Sequence, residues 1–186
     1  MGGERTKGCY PWRIFGAFEG KGRLVIHVVM ATAMLAVVPS NPLRQQMGSI
    51  VGSWRLVTAS AITEEGKAIA QPFGNNPAGS LTYSRDGKVS VLISHGGRKL
   101  LSSDRTASPI TERAEAFATF FAYAGTYSVR GNRITHHVQI SSVPNWVDTD
   151  LVRTFEASGN VLTLTTPPMT IGGVVQTTVL KWKRAP

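Results

Sequence analysis

The sequence predicts an all-β fold, an antiparallel up-and-down barrel of about eight or nine strands with one short helix. From Ile50 onward, β-branched and aromatic residues recur in short runs that Gly, Asn, Asp and Pro interrupt. Tight-turn residues such as Arg85-Asp86-Gly87 and Gly131-Asn132 join neighbouring runs as sequential hairpins. Because a meander of this many strands removes its exposed edges by closing on itself, we expect a barrel, with room inside for side chains or one small ligand.

The predicted elements follow in chain order. The strands cover residues 50–61, 66–71 (the weakest), 78–84, 88–94, 123–130, 133–141, 150–156, 160–166 and 174–184. One helix is expected between the fourth and fifth of them, with Ser108 as its cap and Pro109 at its first position. Its apolar face would carry Ala114, Phe117, Ala118 and Phe121, and the helix would lie across or plug one end of the barrel.

An N-terminal leader over residues 1–46 precedes the barrel domain of residues 47–186. Basic residues come first, and the apolar run from Leu24 to Val38 follows. This run is shorter than the ~20 residues of a spanning helix, and the layout is that of a secretory signal. The leader would make the protein periplasmic or secreted. A mistaken start or cytoplasmic tail, which would leave it cytoplasmic, and a membrane anchor are the alternatives.

Charge and cysteine content exclude several functions. The chain has a formal net charge of +9, but after the leader the basic residues are scattered rather than gathered in a stripe, so we expect no nucleic-acid partner. The single cysteine, Cys9, lies in the leader, so the barrel has neither a disulfide nor a thiol nucleophile. No metal-binding, phosphate-binding or dinucleotide-binding motif is present, and we expect no metal and no cofactor.

A series of short motifs carries a family resemblance. The first strand contains Gly52-Ser53-Trp54, and further motifs follow along the chain. They are Pro72-Phe73-Gly74, Gly79-x-Leu81-x-Tyr83-x-x-Asp86-Gly87, Tyr123-Ala124-Gly125-Thr126-Tyr127, Thr135-His136-His137-Val138 and Pro144-Asn145-Trp146, followed by Arg153. Over about residues 48–184 the chain resembles the lipocalin-like domain family of bacteria and fungal biosynthetic clusters. The resemblance implies a small barrel with a pocket. It also implies that Trp54 closes the floor, packed by Lys181, Lys183 or Arg184.

His136 is the foremost candidate site residue. Strand alternation places Ile134, His136, Val138 and Ile140 on one face, which should be the interior, and turns His137 outward. The two adjacent histidines therefore cannot share a metal ion. Three roles remain open for His136: a ligand contact, a core histidine bonded to a neighbour such as a tyrosine, or a general acid or base.

The other candidate ligand contacts are Tyr83, Tyr123, Tyr127, Trp146 and Arg153. The tyrosines lie on predicted inner faces and Trp146 lies on a loop beside the barrel mouth. Arg153 alternates with Leu151 and Phe155, so an inward guanidinium would need a carboxylate, from Asp148 or Asp150, or an anionic ligand.

Three functions are consistent with this sequence. The first is a barrel that binds a small apolar or aromatic, possibly anionic, molecule. The second is a cofactor-independent isomerase or cyclase acting on a polyketide-like or terpenoid substrate, with His136 as acid or base. The third is an envelope protein with a solid core.

Overall fold

The structure is a computed structural model, and it describes residues 49–186. The predicted leader lies outside the described residues, so its boundary with the barrel stays a prediction. Residues 51–186 contain ten strands and one α-helix, α1 (Ile110–Ala118). The strands are β1 (Gly52–Thr63), β2 (Ala68–Ile69), β3 (Ala78–Tyr83), β4 (Lys88–Ser94), β5 (Phe120–Arg130), β6 (Arg133–Ser141), β7 (Asp150–Ser158), β8 (Val161–Thr165), β9 (Met169–Ile171) and β10 (Val174–Arg184).

Eight of these strands close an antiparallel barrel. Neighbouring strands follow the order β1-β3-β4-β5-β6-β7-β8-β10, and β10 pairs back onto β1 from Trp54↔Arg184 to Thr63↔Gln176. The two short strands β2 and β9 extend the sheet beside the end of β1 and the start of β10. The predicted up-and-down barrel is confirmed, and closure leaves its long strands without a free edge.

The two ends of the barrel differ in their connections. Tight turns close one end, at Gly87, Gly131 and Gly159, each of which has a positive φ that favours glycine. The long connections meet at the opposite end: residues 95–119 with α1, residues 142–149, and the segment that contains β9. We call the first end the floor and the second the mouth.

Trp54 seals the floor. Its side chain is almost fully buried, and its indole N–H donates to the carbonyl oxygen of Ile50 at 2.8 Å. The Arg184 guanidinium lies 4.1 Å from the centre of the Trp54 ring and donates to the carbonyl oxygens of Val51 and Ser49, both at 2.7 Å. Of the three basic residues expected to pack on Trp54, Arg184 therefore does so. Gly52 has a φ of 136°, and a side chain there would collide with that guanidinium.

The helix differs from its prediction in two ways. Pro109 precedes the first helical residue without a side-chain cap, because the Ser108 hydroxyl instead donates to the carbonyl oxygen of Asp104 at 2.9 Å. Phe121 belongs to β5 and not to the helix, because the chain leaves the helix at Thr119 and enters the sheet directly.

Ile140 was expected to face the interior, and it faces solvent. Between β5 and β6 the register shifts from Gly125↔Val138 to Ala124↔Ile140, so Gln139 has no opposite residue. This is a β-bulge, and it reverses the facing of the residues beyond it. Gly125 permits the bulge, because a Cβ there would collide with the His137 carbonyl oxygen.

Candidate ligand-binding cavity

A cavity of about 340 Å³ occupies the mouth half of the barrel. This volume is within the range of small-molecule sites, which is roughly 300–1,000 Å³. Its walls are mainly apolar and aromatic, with Phe73, Phe121, Trp146 and Trp182 among the lining side chains. The interior is therefore not solid, which argues against the solid-core envelope protein.

Edge-to-face aromatic contacts build one wall of the cavity. The ring of Phe121 lies 5.8 Å from Phe73 and 5.6 Å from Trp146, and Trp146 lies 5.9 Å from Tyr123. Such contacts stabilise a fixed arrangement of rings. Four aromatic side chains thus present a preformed surface to a flat ligand.

Trp146 reaches the cavity from the connection between β6 and β7. Pro144–Trp146 forms a single 3-10 turn, and the Trp146 carbonyl oxygen accepts a hydrogen bond from the Thr149 hydroxyl at 2.7 Å. The structure thus places Trp146 at the mouth, where the loop position predicted it. Its role as a ligand contact stays a prediction.

Arg153 lines the cavity from β7. Its guanidinium donates to the carbonyl oxygen of Val152 at 2.7 Å, and no carboxylate among the described residues forms an ion pair with it. Asp150, one of the two expected partners, lies on the outer face and bonds His137 at 2.6 Å. The other, Asp148, is solvent-exposed. A half-buried cation inside an aromatic cavity is therefore available to a ligand.

His136 is enclosed between two tyrosines. The Tyr83 hydroxyl lies 2.7 Å from Nε2, and the Tyr123 hydroxyl lies 2.8 Å from Nδ1. The imidazole is fully buried and is not among the residues that line the cavity. Of the three roles considered for His136, this geometry is that of a core histidine bonded to tyrosines. Its direct contact with a ligand stays a prediction that the cavity geometry does not support.

Tyr83 and Tyr127 also lie below the cavity and do not line it. Their rings pack edge to face with their centres 4.9 Å apart, and the Tyr127 hydroxyl donates to the Ser84 carbonyl oxygen at 2.9 Å. Of the six candidate contacts, Tyr123, Trp146 and Arg153 meet at the cavity, and Tyr83, Tyr127 and His136 form the layer beneath.

Burial determines the protonation of this layer. Burial, with smaller contributions from Arg153 and His137, lowers the pKa of His136 to about 3, so the imidazole is neutral near pH 7. Burial raises the pKa of Tyr123 to about 12, although the neighbouring Arg153 guanidinium opposes that change. The pKa of Tyr83 also rises, again mainly through burial. All three groups are neutral hydrogen-bonding partners.

Comparison with known proteins assigns the chain to a family. The model of the lipocalin-like domain matches residues 51–185. The chain belongs to the lipocalin-like domain family. A related protein, the 4'-hydroxy-3'-methoxypropiophenone carrier protein of Aspergillus oryzae (strain ATCC 42149 / RIB 40), is 32% identical over 101 residues, which cover 50% of this chain and 86% of the relative. The family and this relative fit a barrel that binds a small molecule.

Several lining residues of this lipocalin-like barrel were not predicted. Met169, Thr170 and Ile171 form β9 and line the cavity at its mouth. The glycine pair Gly172-Gly173 follows them, and both glycines have a positive φ. This pair is a hairpin-turn signal, and it was the feature of the sequence that could have predicted β9.

Two polar atoms in the lipocalin-like barrel are buried and, among the described residues, have no hydrogen-bond partner. They are the Thr178 hydroxyl and the Trp182 indole N–H. Both residues lie on the inner face of β10 and line the cavity. Unpaired buried polar groups cost about 1–3 kcal/mol each, and most buried polar groups in folded proteins are paired.

Membrane-spanning helices and metal clusters are absent from the described part of the lipocalin-like domain. No helix in it is long and apolar enough to cross a membrane. Within residues 49–186, no three His, Cys, Asp or Glu side chains cluster as metal ligands would.

Proposed function

We propose that this lipocalin-like barrel binds and carries a small aromatic molecule that bears an acceptor oxygen. The observation that supports this most directly is Arg153, a guanidinium without a carboxylate partner among the described residues, inside a cavity with aromatic walls. The rings would stack on the ligand's apolar part, and the guanidinium would bind its oxygen.

The related carrier supports the same chemical class. The molecule in its name is an aromatic ketone with hydroxyl and methoxy substituents. A compound of this class combines a flat apolar ring with acceptor oxygens, and the aromatic wall and Arg153 are complementary to those two parts. We infer that the ligand of this barrel is of similar size and polarity.

Carriage fits the site better than catalysis. An acid–base role for His136 requires contact with a substrate, and Tyr123 separates the imidazole from the cavity. A pKa of about 3 also keeps His136 from becoming an imidazolium at neutral pH, so it cannot act there as a general acid. The isomerase or cyclase hypothesis therefore loses His136, the residue to which it assigned the acid–base role.

Tryptophan fluorescence tests the proposal, because Trp146 and Trp182 line the cavity. Propiophenone, 4'-hydroxypropiophenone and propylbenzene are titrated into the protein, and we expect saturable quenching that is strongest with 4'-hydroxypropiophenone. Arg153→Met should weaken binding of 4'-hydroxypropiophenone by about tenfold, as the loss of a hydrogen bond from a charged group does.

Lys183→Met is the matched control, because it removes a charge from an exposed side chain of β10 and should leave the affinity unchanged. Absence of saturable quenching with all three compounds would contradict the proposal. Equal weakening by both variants would show that Arg153 acts through net charge alone.

The location remains a separate proposal. We infer from the layout of residues 1–46 that the barrel works in the periplasm or outside the cell. If the leader is not a secretory signal, it works in the cytoplasm. N-terminal sequencing of the protein recovered from cell fractions distinguishes the two, because signal cleavage would remove the apolar run Leu24 to Val38.

A further inference from the structure

The layer beneath the cavity contains a chain of three hydrogen-bonding groups, Tyr83–His136–Tyr123. The Tyr83 end is buried near the floor, and the Tyr123 end lines the cavity. The two contacts, at 2.7 Å and 2.8 Å, use both nitrogens of the imidazole. We call these three residues the relay.

Proton counting limits how the relay can be arranged. Two neutral tyrosines and one neutral imidazole carry one donatable proton each, and the relay contains two hydrogen bonds. One proton is therefore left over. It belongs to Tyr83 if Tyr123 donates to Nδ1, and to Tyr123 if Tyr83 donates to Nε2.

The surroundings of the two hydroxyls decide between these arrangements. Tyr83 is 1% exposed, and the only hydrogen bond of its hydroxyl within the described residues is the one to His136. An unpaired O–H at that position would be costly, whereas Tyr123 is a lining residue of the cavity, where a ligand could accept its proton. Arg153 also favours the arrangement in which the left-over proton belongs to Tyr123. Its guanidinium lies beside the Tyr123 oxygen and can only donate hydrogen bonds, so it cannot accept one from the hydroxyl.

We propose that the relay fixes the Nδ1–H tautomer of His136 and so directs the Tyr123 O–H into the cavity, where it and the Arg153 guanidinium together select ligands with a carbonyl or phenolate oxygen. In this arrangement Tyr83 donates to Nε2 and Nδ1–H donates to the Tyr123 oxygen. Ligand selection rests on the proposed function, whereas the tautomer does not. Tyr123 becomes the ligand contact, and Tyr83 and His136 become positioning residues that never touch the ligand.

The tautomer is measured first, on the ligand-free wild-type protein. Long-range ¹H–¹⁵N correlation spectra separate a protonated ring nitrogen from a bare one, and we expect Nδ1 protonated and Nε2 bare at pH 7. A protonated Nε2, or an imidazolium, would overturn the relay and leave the proposed carrier function untouched.

Selectivity is measured with two matched pairs of probes. Propiophenone against propylbenzene isolates a carbonyl, and 4'-hydroxypropiophenone against propiophenone isolates a phenolic oxygen. Tyr123→Phe should lower the preference for the oxygen-bearing member of at least one pair by about 3- to 10-fold, the value of one hydrogen bond. The pair that responds identifies which oxygen the hydroxyl meets.

Tyr83→Phe is the decisive variant, because Tyr83 does not line the cavity. Loss of its donor should free the imidazole to change tautomer, so the same preference should fall while affinity for propylbenzene stays constant. Tyr127→Phe is the control, since its hydroxyl bonds Ser84 and lies outside the relay.

If Tyr83→Phe and Tyr127→Phe retain the same preference as wild type, the relay does not direct Tyr123. Near-ultraviolet circular dichroism confirms that each variant is folded before binding is compared. Should no probe bind the wild-type protein, the proposed function fails, and the ¹⁵N spectra still decide whether the relay exists.

Discussion

His136 and His137 are consecutive residues of one strand with opposite environments. His136 faces inward, fully buried between the hydroxyls of Tyr83 and Tyr123. His137 faces outward, half-exposed between the Ser128 hydroxyl at 3.0 Å and an Asp150 oxygen at 2.6 Å. Both imidazoles have a partner on each nitrogen, and the strand pleat places them on opposite faces of the sheet.

The comparison shows that the number of hydrogen bonds does not determine a histidine's role. Burial removes the water that would stabilise a charged imidazole, so His136 is held neutral and its partners lie in fixed positions. At the surface, water competes for every group around His137, and an exposed ion pair contributes little to stability. The inner histidine therefore has a structural role, whereas the outer one belongs to a solvent-exposed group of hydrogen bonds, Ser128–His137–Asp150.

The largest expected difference between the two is in stability. His136→Ala leaves a cavity and removes the imidazole partner of two buried tyrosine hydroxyls, so the free energy of unfolding should fall by ~3–5 kcal/mol. His137→Ala removes a surface pair and should cost ~0–1 kcal/mol. Urea titrations at pH 7 measure both free energies of unfolding. Similar losses in the two variants would contradict the conclusion that burial gives the two histidines different roles.

A second difference is expected in acid. His136 has a pKa of about 3 when folded and about 6.5 when unfolded, so below pH 6.5 the unfolded state binds a proton that the folded state does not. This contribution to stability is therefore complete well above pH 6.5 and is lost as the pH falls. Between pH 6.5 and 5 it should lower the free energy of unfolding by about 2 kcal/mol.

The control for this prediction is a variant that lacks the buried imidazole. His136→Gln removes the titrating group while its amide can still donate and accept, so the dependence on pH should flatten between pH 5 and 6.5. His95 also has a pKa lowered by partial burial and by Arg98, and it contributes equally to wild type and variant. An unchanged slope in His136→Gln would show that the buried imidazole does not titrate on unfolding.

The barrel and the facing of the two histidines could be predicted because both depend on local patterns. Turn residues marked the hairpins, and alternation placed His136 inside. The same alternation, applied once more, would have separated Asp150 from Arg153, because residues three apart on a strand face opposite sides. That Asp150 does not pair with Arg153 was therefore readable from the sequence.

The bulge and the relay could not be predicted in this way. Regular alternation continued through Gln139 predicts that Ile140 faces the interior. The register shift that turns it outward depends on the close approach of β6 to Gly125, which the pattern of a single strand does not contain. Likewise, Tyr83 and His136 are 53 residues apart in sequence, and their contact arises only when β3 and β6 curve around one interior. Local periodicity fixes which face a residue occupies, and barrel closure decides which residue it meets there.

The smallest expected effect concerns the outer histidine. Ser128, His137 and Asp150 are bonded in the order of a hydrolytic triad, with Ser128 facing Nε2 and Asp150 facing Nδ1. Catalysis by such a triad also needs free N–H donors for the oxyanion, and the strands that carry these residues are paired with one another. Hydrolysis of p-nitrophenyl acetate should therefore be equal in wild type and Ser128→Ala. A loss of turnover in Ser128→Ala would mean that Ser128, His137 and Asp150 have a chemical role. The outer face of β6 would then carry a functional histidine, and the inner face a structural one.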